Sequence, residues 1–293
     1  MTKKPSLVKL LHKIYPRKNP WIVVAFIEIL WPTLFTLAKM TKIPVLGKML
    51  GELLYSKDDK LIYLPKRAAV TRREVVEVMQ PLKPPENIVL PSIVVEYFIK
   101  KAKHHFIMDF CICRKSNQCE EYPINLGCLF LGEASRNLPS EFGRSVTENE
   151  ALEHVEECKE AGLVHLIGRH RVDSIWLNAP PEEKLLTICN CCPCCCLHRT
   201  IPFLHPSLGA KVKRMPGLTV EVTDECIGCG TCADICFVNA IDVRNGKADI
   251  GDVCKGCGRC VEVCPEGAIN LTIERSDFLE KTISEIEHVV DVS

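Results

Sequence analysis

The sequence predicts an α+β protein in three parts: a mostly helical N-terminal segment, a small mixed domain rich in cysteine, and a C-terminal module built on a repeat. Three observations support this prediction. The 19 cysteines lie in tight clusters, the last eight recur at one fixed spacing, and a capped amphipathic helix stands near the middle of the chain. The expected boundaries are 1–85 for the helical segment, 86–200 for the cysteine-rich domain, 201–217 for a linker, 218–275 for the repeat module and 276–293 for a polar tail.

The composition fits a protein with a sizeable core and a metal-binding role. With 293 residues and 47% hydrophobic content, the chain is long enough for one large domain or two modest ones. The formal net charge is +0, so no nucleic-acid partner is expected. Clustered cysteines in a chain of this length favour metal ligation over a disulfide framework. We therefore expect the protein to work in a reducing cytoplasm, in an anaerobic cell.

The N-terminal segment joins a basic stretch, residues 1–20, to an apolar one, residues 21–38. The apolar stretch is at the lower limit of length for a membrane span, and Glu28 and Pro32 in its middle count against one. No cleavage site of a secretory signal follows it. Three interpretations stay open: a buried helix packed on the body of the protein, an amphipathic helix lying on the inner face of the membrane, and a true span.

The pattern is less regular between the apolar stretch and the first cysteines. Lys60–Leu64 is predicted as a short strand and Val70–Met79 as a short helix. Prolines within 81–85 break the chain and mark a boundary between segments. Residues 91–110 are predicted as a helix with Pro91 in its first turn.

The clearest helix signal lies in the middle of the chain. Thr147 is the predicted N-cap, Glu150 completes a capping box, and Gly162 ends the helix. Leu163–Ile167 and Ser174–Leu177 are then predicted as two strands joined by a basic turn. A helix followed by a hairpin is the pattern of a winged helix, but six glutamates make this helix acidic, which disfavours contact with DNA.

The C-terminal module carries the most specific motif in the chain. Four cysteines spaced x2-x2-x3 recur 28 residues later, and each run is followed by an Ala-Ile pair. Glycines within both runs allow tight turns and bring backbone N–H groups toward the sulfur atoms. The cysteines are Cys226, Cys229, Cys232, Cys236, Cys254, Cys257, Cys260 and Cys264, and the glycines are Gly228, Gly230, Gly256 and Gly258.

Across Leu218–Ile273 this pattern resembles the bacterial ferredoxins that carry two 4Fe-4S clusters. The fourth cysteine of each run ligates the other cluster in that family. Phe237 stands where the family has proline, so we expect altered packing or potential near Cys236. Two zinc ions could also use eight cysteines, but the full repeat favours clusters. The resemblance implies one cluster on Cys226, Cys229, Cys232 and Cys264, and a second on Cys254, Cys257, Cys260 and Cys236.

A first upstream group holds four cysteines within 18 residues. Pro123 and Gly127 indicate a loop, which favours ligation of a further cluster, with Arg114 placed to donate hydrogen bonds to cluster sulfide. The alternative is a set of buried core thiols. The group consists of Cys111, Cys113, Cys119 and Cys128.

A second upstream group holds six cysteines within eight residues, a density that no hydrophobic core requires. A strand is expected to lead into it after Pro180 and Pro181. Neighbouring side chains of an extended chain face opposite ways, so the six cannot readily bind one cubane. The ten upstream cysteines could hold two further cubanes, one cubane with spare thiols, or a non-cubane cluster. The second group consists of Cys189, Cys191, Cys192, Cys194, Cys195 and Cys196.

Two further resemblances concern this middle region. Its paired cysteines resemble those of heterodisulfide-reductase subunits, although the longer motif of that family is absent. The region also resembles cysteine-rich ferredoxin-like proteins of anaerobes, through its Cys-x-Cys-Arg run, the stretch Gly162–His165 and the CNCC-x-CCC run. Cys158, one helical turn after His154, is predicted to pack in the core, with metal binding by this pair as the alternative.

The resemblance of the C-terminal module to two-cluster ferredoxins implies an iron–sulfur protein that passes low-potential electrons through two 4Fe-4S clusters to or from a redox protein or complex. The upstream cysteines add the expectation of a further cluster. The alternative is an oxidoreductase that reduces a disulfide or small molecule at the upstream cysteines. A redox-responsive regulator is a third hypothesis. The sequence contains no dinucleotide fingerprint, phosphate-binding glycine loop, nucleophile elbow or HExxH motif, so no catalytic residue is assigned.

Overall fold

The computed structural model describes residues 7–65, 70–72, 90–273 and 277–293. The α-helices are α1 (Leu7–Ile14), α2 (Trp21–Leu30), α3 (Leu34–Met40), α4 (Pro44–Leu54), α5 (Leu90–Lys101), α6 (Ile112–Ser116), α7 (Glu148–Glu160), α8 (Arg171–Trp176), α9 (Pro206–Gly209), α10 (Thr231–Asp234), α11 (Arg259–Val263) and α12 (Phe278–Glu287). The strands are β1 (Lys60–Tyr63), β2 (Val70–Arg72), β3 (His105–Met108), β4 (Leu129–Leu131), β5 (Gly143–Val146), β6 (Val164–Arg169), β7 (Leu186–Cys191), β8 (Val212–Arg214), β9 (Leu218–Val222), β10 (Ile241–Arg244), β11 (Lys247–Ile250) and β12 (Ile269–Ile273). Short 3-10 helices lie at Trp31–Thr33, Glu133–Asn137, Glu182–Lys184 and Leu197–Phe203.

A seven-stranded sheet forms the centre of the molecule, with the strand order β5-β3-β4-β7-β6-β1-β8. Neighbouring strands are antiparallel except β1 and β8, which are parallel. Between β6 and β7, Val164 lies opposite Cys191 and Leu166 lies opposite Cys189. Because side chains alternate along a strand, Cys189 and Cys191 lie on one face of the sheet and Asn190 on the other.

Alternate residues of the strands supply two different cores, one on each face of the sheet. On the first face, Ile62 of β1 packs in a core with residues of α5, α7 and α12. On the second face, Tyr63 packs in a core with Cys191, and Phe130 packs with Val24 of α2. A cavity lined by Cys189 and Cys191 of β7 and by Ile27 and Leu34 of the N-terminal helices therefore lies on the second face.

The C-terminal module contains a hairpin and contributes two strands to a three-stranded sheet, whose third strand is β2. Strand β12 pairs antiparallel with β9 and parallel with β2, and β10 pairs with β11. Each cysteine loop leads into a short helix, α10 or α11. Leu218, Leu271 and Ile273 of this module are buried in the same core as the first face of the central sheet. The module and the sheet therefore share one core.

The N-terminal helices pack one side on the protein and expose the other. Trp21 stacks on Phe110 with 5.4 Å between ring centroids and meets Phe142 edge-on at 5.2 Å. Glu28 forms an ion pair with Lys115 at 3.8 Å. The exposed side presents the large apolar side chains of Ile22, Phe26, Ile29, Phe35, Ile43, Val45 and Met49.

Trp21–Met40 is long and apolar enough to cross a membrane, judged by length and composition among the described residues. Only 11% of its most apolar stretch is buried inside the protein. Core helices of soluble proteins and signal sequences meet the same two criteria, so the finding is weak support for a span. The packing of the segment matches neither a fully buried helix nor a helix free of the protein.

Several predicted elements are confirmed. Strand β1 matches Lys60–Leu64, and β7 is the strand expected before the second cysteine group. Helix α7 begins after Thr147, whose hydroxyl accepts the N–H of Glu150 at 3.3 Å, while the Glu150 carboxylate accepts the N–H of Thr147 at 2.8 Å. Gly162 follows with a φ of 76°, a left-handed conformation that ends a helix at little cost.

The predicted strand Ser174–Leu177 is wrong, because the chain forms helix α8 there. Strand β6 is thus followed by a helix, and the winged-helix pattern is wrong as well. A short apolar run has no periodicity that separates strand from helix. Asp173 supports the helix by accepting hydrogen bonds from Nε1 of Trp176 at 3.1 Å and from Oγ1 of Thr187 at 2.9 Å.

Two helix predictions need correction. Residues 91–110 divide into α5, which ends at Lys101, and β3, which begins at His105 and pairs with both β4 and β5. Val70–Arg72 at the start of the predicted helix Val70–Met79 forms β2. The rest of that prediction and the prolines within 81–85 lie outside the described residues.

Residues 201–217 and 276–293 carry more structure than a linker and a tail. The first range contains α9 and β8, and β8 pairs with β1 of the central sheet. The second contains α12, whose Phe278 and Ile286 are buried. Pairing between distant strands depends on tertiary context and leaves little local signal. The division of the chain into these five segments stays a prediction.

Candidate metal centres

The eight cysteines of the module line two separate cavities. Each cavity takes three cysteines from one run and the fourth from the other run. The first is lined by Cys226, Cys229, Cys232 and Cys264. The second is lined by Cys236, Cys254, Cys257 and Cys260.

Both cavities are built to bind a group through thiolates. The N–H of Ala240 points to Sγ of Cys236 at 3.2 Å, and at the equivalent place in the repeat the N–H of Ala268 points to Sγ of Cys264 at 3.3 Å. Gly228 has a φ of 67°, and a Cβ there would lie 2.5 Å from a backbone carbonyl oxygen. The other three predicted glycines also have positive φ. Amide donors and tight turns around the sulfur atoms fit an iron–sulfur cluster.

The two cavities of the module differ in their exposure. Cys229 of the first cavity is exposed, and Ile227 in the same loop is 62% exposed. Cys260 of the second cavity is buried, as are the neighbouring side chains of Phe237 and Arg259. The first cavity therefore faces solvent and the second faces the interior.

Phe237, which replaces the proline of the family, connects the second cavity to the central sheet. Its ring centroid lies 5.1 Å from that of Tyr63, and the Arg259 guanidinium lies 5.6 Å from the centroid of Phe237. Arg259 also donates a hydrogen bond to the carbonyl of Cys191. Proline could supply no such aromatic contact; the expected change of packing or potential near Cys236 stays a prediction.

Seven of the ten upstream cysteines line a cavity of about 180 Å³ on the second face of the sheet. They come from both sequence groups, because the α6 region meets the end of β7 here. Ile27, Trp31 and Leu34 of the N-terminal helices form part of the wall. We call this space the upstream cavity; its cysteines are Cys111, Cys113, Cys128, Cys189, Cys191, Cys192 and Cys196.

Thiols in the upstream cavity are hydrogen-bonded to one another. Cys113 donates to Cys111, and this bond is the main cause that lowers the pKa of the Cys111 thiol to about 7. Cys189 and Cys196 donate to Cys191, which holds the pKa of the Cys191 thiol well below its ordinary value. Cys111 and Cys191 thus favour the thiolate, the form in which cysteine binds metals. Donation raises the pKa of the three donor thiols, Cys113, Cys189 and Cys196, well above its ordinary value.

Arg114 is fully buried in the wall of the upstream cavity. Its Nε donates to the carbonyl of Pro123 at 2.7 Å and its Nη1 to the carbonyl of Asn190 at 2.8 Å, while Nη2 donates to the carbonyl of Leu126. These bonds fasten the first cysteine loop to β7. Arg114 therefore acts as a clamp in this structure, in addition to placing a positive charge beside the thiols.

Other polar groups of the upstream cavity were not predicted from the sequence. His170, Asp173 and His198 line it, and the Tyr63 hydroxyl lies 3.9 Å from Sγ of Cys196. Burial lowers the pKa of His198 to about 4, so its ring is neutral at pH 7. The nearness of His198 to Cys196 in the sequence was the one available signal, since the sheet brings the other groups together from distant segments.

Four upstream cysteines meet at a second point. Their Sγ atoms all lie within 4.8 Å of one another. Sγ of Cys194 is 3.6 Å from that of Cys119 and 3.6 Å from that of Cys195. This set, which we call the four-thiol group, is Cys119, Cys192, Cys194 and Cys195.

The six-cysteine run is thus divided between two places, because β7 ends at Cys191 and the chain turns at 193–195. Cys192 borders both the upstream cavity and the four-thiol group. Cys158 belongs to neither set. Its thiol is fully buried beside Leu163 and lies 3.7 Å from Nε2 of His154, which itself is 3.0 Å from the carbonyl oxygen of Gly127. The predicted packing role of Cys158 is confirmed.

The paired cysteine cavities of the module define an iron–sulfur, ferredoxin-like domain at the C-terminus. Residues 225–268 match the family model of the 4Fe-4S dicluster domain. That match covers only the module. No curated protein and no solved structure matches the chain. The match leaves the upstream cysteines unassigned, so their role has to be inferred from the geometry of their thiols.

Proposed function

We propose that the protein carries low-potential electrons between a partner redox protein and a cysteine-ligated centre in the upstream cavity, through two 4Fe-4S clusters in the module. When bound, such clusters supply one-electron transfer. The residues of this chain hold the ligands in place, direct N–H groups at sulfur and exclude water. The proposed ligands are Cys226, Cys229, Cys232 and Cys264 for one cluster, and Cys254, Cys257, Cys260 and Cys236 for the other.

One observation carries this proposal: cysteines of the second module cavity and of the upstream cavity pack in the same core. Tyr63 contacts both sides, since its hydroxyl approaches Cys196 and its ring packs on Phe237, the neighbour of Cys236. Arg259 adds a hydrogen bond across the same contact, which it donates to the carbonyl of Cys191. Direct packing of two redox sites supports electron exchange between them.

The exposure of the two module cavities gives the electron route an order. The first cavity, with exposed Cys229, is the end open to another protein. The second is buried against the upstream cavity. We therefore place the docking surface for the partner redox protein at the loop of Ile227, an exposed apolar side chain beside Cys229.

The test is the iron and acid-labile sulfide content of the full chain purified without oxygen, with EPR of the reduced form. We expect more than about eight irons per chain, the content of two 4Fe-4S clusters. In the double variant Cys191→Ala, Cys196→Ala, the excess iron should be lost while the signals of the module stay. Val243→Ala, at an exposed position of the module hairpin, is the control, because this side chain lines neither the upstream cavity nor a module cavity. A wild-type content of only about eight irons would contradict the upstream centre.

A second candidate function is favoured by the size and chemistry of the upstream cavity. A space of about 180 Å³ lined by cysteine thiols, His170 and His198 has room for a small substrate or a disulfide. The protein would then be an oxidoreductase whose upstream centre reduces that substrate. Adding a small thiol to the oxidised protein distinguishes the two: a changed EPR signal of the upstream centre favours the enzyme, and an unchanged signal favours electron transfer alone.

We also propose that the protein works in the cytoplasm, at the inner face of the membrane. Phe26, Ile29 and Val45 are 60%, 74% and 76% exposed, and such a patch on a protein surface usually contacts a membrane or a partner. Basic side chains near it favour anionic lipid. The exposed ones include Arg17, Lys18, Lys42 and Lys48.

A further inference from the structure

We propose that the four-thiol group is a closed site for a single tetrahedral zinc ion, distinct from the iron–sulfur centres. The four Sγ atoms belong to Cys119, Cys192, Cys194 and Cys195. The proposal goes beyond electron transfer, because zinc has no redox chemistry and would serve the architecture of the upstream region.

The distances between sulfur atoms favour one ion over a cluster. Zinc–thiolate bonds are about 2.3 Å long, so four thiolates around one tetrahedral ion lie about 3.8 Å apart. Cys194 lies 3.6 Å from two of its neighbours, and no pair in the group exceeds 4.8 Å. In a cubane each thiolate binds a different iron on the outside of an eight-atom body, which requires a wider spacing.

The module provides a comparison within the same chain. Among the residues that the structure describes, the four-thiol group is the one set of three or more metal-ligating side chains that meets the 4.8 Å limit. The two cysteine sets of the module, which match a cluster-binding family, are spaced more widely. The structure therefore separates two kinds of thiol site by the spacing of their sulfur atoms.

The local backbone supports a preformed site. The chain turns after β7, and the N–H of Cys195 points to Sγ of Cys192 at 3.3 Å. The Asn117 side-chain amide donates to the carbonyl of Cys195 at 3.3 Å, which joins this turn to the end of α6. Cys119 follows α6 directly. A bound ion would thus tie two loops that border the upstream cavity.

The ligand set also predicts the chemistry of the site. Four protein thiolates leave no open coordination position, which is typical of structural zinc. On binding, each thiol releases its proton to solvent, and no electron is transferred. Zinc affinity should therefore fall as the pH is lowered.

The test combines metal analysis with zinc-edge X-ray absorption on the full chain purified without oxygen. We expect one zinc per chain, with four sulfur neighbours at about 2.3 Å and no neighbouring iron. Cys119→Ser and Cys194→Ser should lose the zinc and keep the iron and sulfide. Cys119→His should retain zinc, since imidazole is also a zinc ligand. Val243→Ser, at an exposed position of the module hairpin, should behave as wild type.

Two results would overturn the proposal. Loss of iron and sulfide together in Cys119→Ser would place a cluster at the four-thiol group. Wild-type protein without zinc, in which these cysteines react as free thiols, would leave the group without an ion. X-ray absorption of the wild type decides the matter even if a variant fails to fold. The zinc count is independent of the iron count, so this proposal and the electron-transfer proposal can fail separately.

Discussion

Two buried arginines organise the cysteines at the scale of single residues. Arg114 lies in the wall of the upstream cavity. Arg259 belongs to the module and lines its second cavity, where the module contacts β7. Both donate to carbonyls of β7, at Asn190 and Cys191. A buried guanidinium is stable only where hydrogen bonds and negative charge offset its lost hydration. Thiolates and clusters bound as proposed would supply that charge, so protein folding and loading of the sites would support each other.

The clamp formed by Arg114 leads to a prediction. Arg114→Lys keeps the charge but loses the planar fork that reaches three carbonyls, so the first cysteine loop should loosen. Hydrogen bonds to a charged group are worth about 1.5–3 kcal/mol each. We expect loss of most iron above the content of the module, measured by metal analysis and EPR. Arg136→Lys, at an exposed arginine, is the control. Full upstream iron in Arg114→Lys would contradict the role of the clamp.

Helix α2 with α3 is the feature of interest at the scale of elements. One side packs on aromatic residues of the second face, and the other presents apolar side chains to solvent. Phe26→Glu with Ile29→Glu places two carboxylates in the exposed side without touching the packed side. We expect binding of the full chain to anionic lipid vesicles to fall at least tenfold in a sedimentation assay, because charged groups enter the apolar interface at high cost.

The control for this experiment changes a side chain far from the proposed membrane surface. Val243→Glu places the same type of charge on the hairpin of the module, where the valine is 39% exposed. It should bind vesicles as wild type does. Equal binding by the double variant and the wild type would contradict the membrane proposal. The exposed apolar face would then be expected to bind another partner.

The elements also show which parts of the fold the sequence could predict. Local signals are sufficient for α7 and for the glycine turns of the module, where a capping box and a repeat act over a few residues. They fail for α8 and for β8, whose conformations depend on Thr187 and on β1. The sequence predicts the ten upstream cysteines as candidate ligands but not how they divide between two places, because the sheet register decides which thiols meet. The spacing of residues in the sequence gives no signal for the contacts of Tyr63 and Arg259 with these cysteines, for the same reason.

The shared core of the sheet and the module governs the behaviour of the whole molecule. Leu218, Leu271 and Ile273 of the module are buried with side chains of α5 and α12. We expect one cooperative thermal transition under anaerobic conditions, in which far-UV circular dichroism and the visible absorbance of the clusters change together. Leu271→Ala should lower both midpoints by the same amount, since emptying a buried leucine site costs about 2–5 kcal/mol.

The exposed hairpin of the module again provides a control. Val243→Ala removes little buried surface and should shift neither midpoint. If the absorbance of the clusters were lost well before the dichroism of the sheet, the module would be an independent folding unit. That result would contradict the shared core as the basis of stability, although it would leave the cysteine sites unchanged.

The wall that Ile27, Trp31 and Leu34 contribute to the upstream cavity has a consequence for biosynthesis. The N-terminal helices leave the ribosome first, yet they cover a site whose cysteines are made much later. If iron and sulfide fill this cavity as proposed, they would have to reach the thiols before these helices settle on the sheet. For these two parts of the chain, the order of assembly would then be the reverse of the order of synthesis.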